Sequence, residues 1–241
     1  NMFYDGSLQN GVTISERIRP ELDFDWPNPN VPMFFLSSFG SEELASTGTS
    51  YLNRVEALSV EKIVTKLLKG SIHPSQIGVI TPYQGQRAFI MQMMIMNGSM
   101  KRELYEAIEV ASVDAFQGRE KDYIILSCVR SNDQSSIGFV SDARRMNVAL
   151  TRARYGLIIL GNPKALSKTS YWNNLICHYK ELQVLMEGNI GNMQPCPLHF
   201  SRTSRPHNTS RTEDVLNRHT RSAFNSSHND LDDNISLHSF A

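Results

Sequence analysis

The sequence predicts an α/β fold in which helices cover both faces of a parallel sheet. Short apolar runs alternate along the chain with longer segments whose apolar residues recur at helical spacing, which is typical of parallel strands joined by crossover helices. The chain has 241 residues, of which 40% are hydrophobic and 20% are charged. This length and balance predict one domain with a substantial core, together with extensions.

The predicted strands are short apolar runs bounded by Gly, Pro or polar residues. They cover residues 33–39, 76–81, 108–113, 122–129 and 155–161. The clearest helical pattern begins at Asn53 and Glu56, which have the spacing of a capping box, and ends at Gly70. Further helices are predicted over residues 84–96, 142–153 and 171–182.

Composition predicts a lead-in, a domain and a tail. Residues 1–32 are rich in Gly, Pro and Asn and predict an irregular lead-in or connector that packs on the domain. Residues 33–190 hold the predicted strands and helices. Residues 195–241 are rich in polar residues with scattered apolar ones, too few to offset the entropy of ordering, so we predict a disordered tail. Its arginines could contact nucleic acid or belong to a solvated linker.

Charge and cysteine content exclude several classes of protein. The formal net charge is +0, so any nucleic-acid site must be local. The 3 cysteines lack C-x-x-C spacing, which argues against a zinc site or a disulfide framework and favours a reducing compartment. No apolar run approaches the roughly 20 residues that a membrane helix needs, and the start of the chain shows no secretory signal. Because the chain starts with Asn1, we expect it to be a fragment.

The segment from Val110 to Asp122 carries a polar turn where a predicted strand ends, which is where ligands bind in open α/β sheets. Gly118 permits close approach to the backbone, Glu120 can accept from a ribose hydroxyl, and Gln117 offers both a donor and an acceptor. The alternative is a polar turn between strands with an internal salt bridge.

The segment from Asp142 to Arg154 predicts a helix with Arg145 and Arg152 two turns apart and thus roughly on one face. A permanently charged, forked guanidinium suits a developing phosphate charge. A solvated basic helix face is the alternative.

The segment from Gly78 to Arg87 is another strand end followed by a turn and a helix start. The Thr81 hydroxyl and the backbone amides there could hold a phosphate of a nucleic-acid strand, and a simple helix cap is the alternative. No G-x-x-x-x-G-K-[ST] loop occurs in the sequence, so this chain alone is expected not to hydrolyse ATP.

In this order and spacing the segments resemble motifs IV, V and VI of superfamily 1 helicases. The stretches Asp114-Ala-Phe-Gln-Gly-Arg-Glu-Lys-Asp122, Ser127-Cys-Val-Arg130 and Arg144-Arg-Met-Asn-Val-Ala-Leu-Thr-Arg-Ala-Arg154 are similar to the up-frameshift-type RNA helicases of nonsense-mediated mRNA decay. The resemblance covers about residues 1–187. It implies a RecA-like fold of the P-loop NTPase superfamily, in the position of the second, C-terminal helicase domain.

The resemblance implies roles for individual residues. Arg152 would be the catalytic arginine that reaches the ATP γ-phosphate, and Arg145 would support motif VI structurally. The implied ATP-binding residues are Gln117, Gly118, Glu120 and Arg152. The implied RNA-binding residues are Thr81, Tyr83, Gln86, Ser112 and Val113.

It also implies partners. The adenine-stacking Gln-Tyr-Arg-Met stretch, the phosphate loop and the Mg²⁺ ligands should lie upstream of Asn1, in another RecA-like domain, so no metal is expected in this chain. The expected partners are RNA, that upstream domain and nonsense-mediated decay factors, in the cytoplasm and without a membrane. The remaining alternatives are a senataxin-type or immunoglobulin-mu-binding-type DNA/RNA helicase and a non-catalytic nucleic-acid-binding module.

Overall fold

The protein is described here by a computed structural model, which covers residues 22–132 and 137–202 together with residues 13, 16 and 19. All of these belong to one unit, Asn1–Thr203. Most of the predicted lead-in, through residue 21, lies outside the described residues, as do positions 203–241 of the predicted tail.

A seven-stranded sheet forms the centre of the domain. Its strands are β1 (Met33–Ser37), β4 (Ile77–Ile80), β5 (Glu109–Ala111), β6 (Lys121–Ser127), β7 (Ala153–Gly161), β8 (Leu185–Asn189) and β9 (Asn192–Pro195). They lie in the order β5-β4-β6-β7-β1-β8-β9. All neighbouring pairs are parallel except β8 and β9, which are antiparallel. A separate two-stranded hairpin consists of β2 (Glu43–Leu44) and β3 (Tyr51–Leu52).

The central strands are buried on both faces. Every residue of β4 is buried, and so are residues 123–127 of β6. Because successive side chains of a strand point to opposite faces, such burial requires cover on both sides of the sheet. The predicted α/β class with a parallel sheet is therefore confirmed.

The helices are α1 (Arg54–Lys69), α2 (Gln84–Asn97), α3 (Arg102–Glu106), α4 (Ala143–Leu150), α5 (Pro163–Leu166) and α6 (Ser170–Glu181). The predicted helix over residues 142–153 is shorter than expected because Asp142 serves as its N-cap and β7 already begins at Ala153. No helix in the described part of the chain is long and apolar enough to cross a membrane.

The described start of the tail packs against the domain. Cys196 is buried, and Leu198 and Phe200 contact the core. Asn173 donates through its side chain to the Ser201 carbonyl at 2.7 Å. Residues 196–202 are therefore ordered, in contrast to the predicted disorder from residue 195. The three cysteines Cys128, Cys177 and Cys196 are all free and buried.

Candidate nucleotide half-site and nucleic-acid interface

The turn that precedes β6 presents polar groups to solvent. Gln117, Arg119 and Glu120 are all exposed. Gly118 adopts a φ of +76°, and a Cβ built on it would meet no described heavy atom within 4 Å. Because glycine tolerates left-handed backbone conformations, the turn leaves an open approach to its backbone at this residue.

Arg152 reaches this turn from the connection between α4 and β7. Its guanidinium donates to the carbonyl oxygens of Arg119 at 3.3 Å and Val148 at 3.0 Å. A further hydrogen bond of 2.9 Å joins it to the Thr151 hydroxyl. The structure thus brings the predicted arginine to the predicted turn.

The two predicted sites lie at opposite edges of the sheet. Ser112 and Val113 directly follow β5 and therefore lie at the carboxyl edge, as predicted. Gln117, Gly118 and Glu120 do not: they lie at the amino edge, where β6 begins. The reason is topological, because β5 and β6 both run parallel to β4 and their connection must return to the edge where parallel strands start.

The connections β5–β6 and β6–β7 are fastened together at both edges. Near the carboxyl edge, Arg145 donates to both carboxylate oxygens of Asp114, at 3.2 and 3.3 Å. At the amino edge, Arg152 contacts the Arg119 carbonyl. Helix α4 lies between these contacts, and its 8 residues span about 12 Å. The predicted nucleotide and nucleic-acid residues are therefore joined by one short helix.

A cleft of about 180 Å³ opens at the carboxyl edge and is lined by Pro82, Ser112, Val113, Asp114, Phe139 and Arg145. Strands β4 and β5 are neighbours, so the segments that follow them meet here. The predicted RNA-binding residues Ser112 and Val113 belong to this cleft, and Thr81 and Tyr83 flank its Pro82.

Thr81 and Tyr83 are themselves buried. Thr81 is 1% exposed, and no described residue forms a hydrogen bond with its hydroxyl. The Tyr83 hydroxyl donates to the Ile137 carbonyl at 3.4 Å and accepts from Arg130 at 3.3 Å. The ring of Tyr83 packs edge-on against Phe139, with centroids 6.1 Å apart. Through these contacts, Tyr83 packs behind the residues that line the cleft and holds Phe139 in place.

Gln86 is fully buried in α2, and its amide is occupied by protein groups. Its oxygen accepts from the Asn53 N–H at 2.8 Å, and its nitrogen donates to the Asn53 carbonyl at 3.1 Å and to the Ser127 hydroxyl at 3.0 Å. In this arrangement Gln86 does not face solvent. It fastens α2 to the start of α1 and to the end of β6.

A buried carboxylate, Glu56, completes this network. Half of the predicted capping box is confirmed, because the Asn53 side chain accepts from the Glu56 N–H at 3.1 Å. The Glu56 carboxylate instead accepts from the Ser127 hydroxyl at 2.7 Å and from the Val129 N–H at 2.9 Å. Burial raises the pKa of Glu56 to about 7, although these hydrogen bonds act in the opposite direction.

An ion pair at the carboxyl end of β6 was not predicted from the sequence. Arg130 donates to Glu42 at 3.0 and 3.2 Å, and both side chains are largely buried, with 10% and 13% exposed. Ser131 and Asn132 donate to the same carboxylate. Burial acts to raise the pKa of Glu42, but hydrogen bonds from Arg130, Ser131 and Asn132 outweigh it and hold the pKa below its usual value.

Comparison with known proteins identifies the family. A family described as an AAA domain matches residues 1–164. The chain belongs to this family. Together with the mostly parallel sheet, the match confirms the predicted RecA-like fold.

Relatives of this AAA domain protein include named helicases. The chain is 60% identical over 211 residues to the regulator of nonsense transcripts 1 homolog of Arabidopsis thaliana, a match that covers 88% of this chain and 17% of that relative. It is 56% identical over 213 residues to the ATP-dependent helicase NAM7 of Saccharomyces cerevisiae, covering 86% of this chain and 22% of the relative. The ATP-dependent helicase upf1 of Schizosaccharomyces pombe is 56% identical over 206 residues, with 86% and 22% covered.

These matches confirm the resemblance to up-frameshift-type superfamily 1 helicases. The chain spans only 17% to 22% of the length of these relatives. Within the described part of the AAA domain protein, no group of three or more His, Cys, Asp or Glu residues could hold a metal ion.

Proposed function

We propose that this chain is the second motor domain of an ATP-dependent 5′-to-3′ RNA helicase that acts in nonsense-mediated mRNA decay in the cytoplasm. It contributes the arginine and the motif V turn of an ATP site, together with part of an RNA groove. Relatives named as ATP-dependent helicases and as regulators of nonsense transcripts support this assignment.

The ATP-site proposal rests on the hydrogen-bond partners of the Arg152 guanidinium. Arg119, Arg145 and Arg154 each pair with a carboxylate. Among the described residues, Arg152 has no such ion pair, and its guanidinium donates only to carbonyl and hydroxyl oxygens. Its charge is therefore held in a fixed position by neutral acceptors, as the terminal phosphate of ATP requires.

The surrounding turn fits a nucleotide. Gly118 leaves its backbone open to approach, and the exposed carboxylate of Glu120 can accept hydrogen bonds from ribose hydroxyls. Gln117 offers both a donor and an acceptor. An upstream RecA-like domain of the full-length protein would supply the phosphate loop and the Mg²⁺ ligands. When bound, Mg²⁺ would neutralise charge on the phosphate oxygens.

RNA would lie at the carboxyl edge of the sheet. The cleft there collects Ser112 and Val113 beside Pro82, and the unpaired Thr81 hydroxyl lies next to Pro82 in the chain. A buried hydroxyl without a partner is costly, so a ligand or water that accepts or donates at this position would stabilise it. We assign Gln86 to holding motif IV in place, because its amide groups are already bonded within the protein.

The test is RNA-stimulated ATP hydrolysis by the full-length protein, comparing wild type with Arg152→Ala and Arg152→Lys. We expect Arg152→Ala to lower turnover by about 10³-fold, near the low end of what arginine fingers supply, with far less change in RNA affinity. The matched control is Arg144→Ala, because Arg144 is an exposed arginine in the same connection between β6 and β7. The 241-residue chain alone should not hydrolyse ATP.

Distinct outcomes would contradict distinct parts of the proposal. Wild-type turnover without RNA dependence would remove the helicase assignment. Equal losses for Arg152→Ala and Arg144→Ala would mean that α4 had been disturbed and that no particular guanidinium is needed. Equal unwinding of matched DNA and RNA duplexes would favour a related DNA/RNA helicase.

A further inference from the structure

Phe139 is an aromatic side chain that the fold holds at the surface. Its side chain is 56% exposed, and it lines the cleft at the carboxyl edge together with Pro82 and Val113. A single exposed aromatic residue needs no explanation by itself. This one, however, lies in a cleft beside the residues to which we assign RNA binding.

The turn that carries Phe139 is anchored on both sides. Ile137 and Val140 are buried, with 1% and 9% exposed. The Val140 carbonyl accepts from the indole N–H of buried Trp172 at 2.7 Å, and the Ile137 carbonyl accepts from Tyr83 at 3.4 Å. Since the backbone is anchored at Ile137, two residues before Phe139, and at Val140, directly after it, Phe139 is presented outward with little freedom to be lost on binding.

The charges around Phe139 favour an uncharged planar ligand. The guanidinium carbon of Arg145 lies 5.1 Å from the centre of the Phe139 ring, within the range of a cation–π contact. Arg145 is also paired with Asp114 through two hydrogen bonds. Because its charge is already balanced by a carboxylate, the cleft is poorly suited to a phosphate. Its apolar surface of Phe139, Pro82 and Val113 suits the face of a base.

We propose that Phe139 is a stacking platform for an unpaired base of single-stranded RNA, with Arg145 and Tyr83 as positioning residues for its ring. The inference rests on the proposed function and adds to it a contact to the base itself. Stacking on an aromatic side chain accepts any of the four bases, so this site grips RNA without reading its sequence.

The experiment measures RNA affinity of the full-length protein by fluorescence anisotropy, with a labelled single-stranded RNA and with the same RNA carrying abasic positions. Variants are Phe139→Ala and Phe139→Tyr, and the control is Tyr171→Ala, an exposed aromatic residue of α6. We expect Phe139→Ala to bind intact RNA about tenfold more weakly, which is about 1.4 kcal/mol. Phe139→Tyr and Tyr171→Ala should bind within twofold of wild type.

The abasic RNA separates stacking from other causes. Wild type should bind it about as weakly as Phe139→Ala binds intact RNA, and Phe139→Ala should lose little more on it. If Phe139→Ala loses tenfold on both RNAs, or Phe139→Tyr fails to restore binding, the residue supports the fold and does not stack on a base. If wild type binds RNA and Phe139→Ala binds it with the same affinity, this inference is wrong while the proposed function stands. If wild type binds no RNA, the proposed function itself fails.

Discussion

The turn around Gly118 and the network around Glu56 each contain a residue with left-handed backbone geometry, but they accommodate it differently. These residues are Gly118 at φ +76° and Val129 at φ +70°. Gly118 is surrounded by open space and exposed neighbours. Val129 is completely buried, and its N–H donates to the Glu56 carboxylate at 2.9 Å.

We expect this difference to separate a turn that is open to a ligand from a region that the protein itself fills. A β-branched residue in the left-handed region is strained by about 1–2 kcal/mol and persists only where its surroundings hold it. Around Val129 these surroundings are buried hydrogen bonds and the Glu42–Arg130 pair. The Gly118 turn needs no such support. We therefore expect changes in the buried network to act on stability, and changes in the turn to act on turnover.

The largest effect on stability is expected from Glu42→Ala. It would leave Arg130 largely buried with its main carboxylate partner removed, and breaking a buried ion pair in this way costs about 3–5 kcal/mol. Urea unfolding of the 241-residue chain measures this cost.

The matched control is Glu106→Ala, which removes the exposed ion pair of Glu106 with Arg102, where 47% and 65% of the side chains are exposed. An exposed pair of this kind contributes about 0.5 kcal/mol or less. Similar losses for the two variants would show that the Glu42–Arg130 pair is not buried in solution, and the contrast between the two regions would be lost.

A pH-dependent effect is expected from Glu56. Its pKa is raised by burial from 4.5 to about 7, so the folded chain keeps a proton that the unfolded chain has already released. The contribution of Glu56 to stability is therefore greatest below pH 4.5 and is lost as the pH rises to about 7. The loss amounts to about 3 kcal/mol.

Glu56→Gln should remove this dependence. The stability of the variant relative to wild type should rise by about 3 kcal/mol between pH 4.5 and pH 7.5, measured by urea unfolding at each pH. Glu103→Gln, at an exposed position of α3, should keep a constant difference from wild type. A constant difference for Glu56→Gln as well would mean that Glu56 ionises in the folded chain as it does in the unfolded one.

The sequence predicts those parts of the fold in which a continuous apolar run implies burial on both faces. Strands β4, β6 and β7 were found in this way. Strands β8 and β9 were missed because residues such as Glu187, Gly188 and Asn192 give them no apolar pattern; β9 is the edge strand of the sheet and β8 is its neighbour. The hairpin of β2 and β3 has two residues in each strand, too few for any periodicity.

The residues of the candidate site also differ in whether the sequence alone could point to them. The sequence could propose the motif V turn and Arg152 as a nucleotide site because short contiguous stretches carry the resemblance to helicases, and that assignment stays a prediction. The partnership of Glu42 with Arg130 could not, because 88 positions separate them and only the folded sheet brings them together. The spacing of Glu56 from Asn53 predicts a helix cap. Nothing in that spacing indicates that the Glu56 carboxylate also binds Ser127 and Val129 at the end of β6.

A smaller effect on stability than those of Glu42→Ala and Glu56→Gln, and the sharpest test of the comparison, is expected from Gly118→Ala. The added Cβ meets no described atom within 4 Å, so only the left-handed backbone resists it, at about 1–2 kcal/mol. Gly48→Ala is matched to it, because Gly48 has a φ of +70° and equally open surroundings, but lies in the hairpin between β2 and β3. Both variants should lose similar stability in urea. Only Gly118→Ala should slow RNA-stimulated ATP turnover of the full-length protein, because its methyl group narrows the approach to the turn beside Arg152. Equal turnover for the two variants would mean that the open space above Gly118 is not used by the nucleotide.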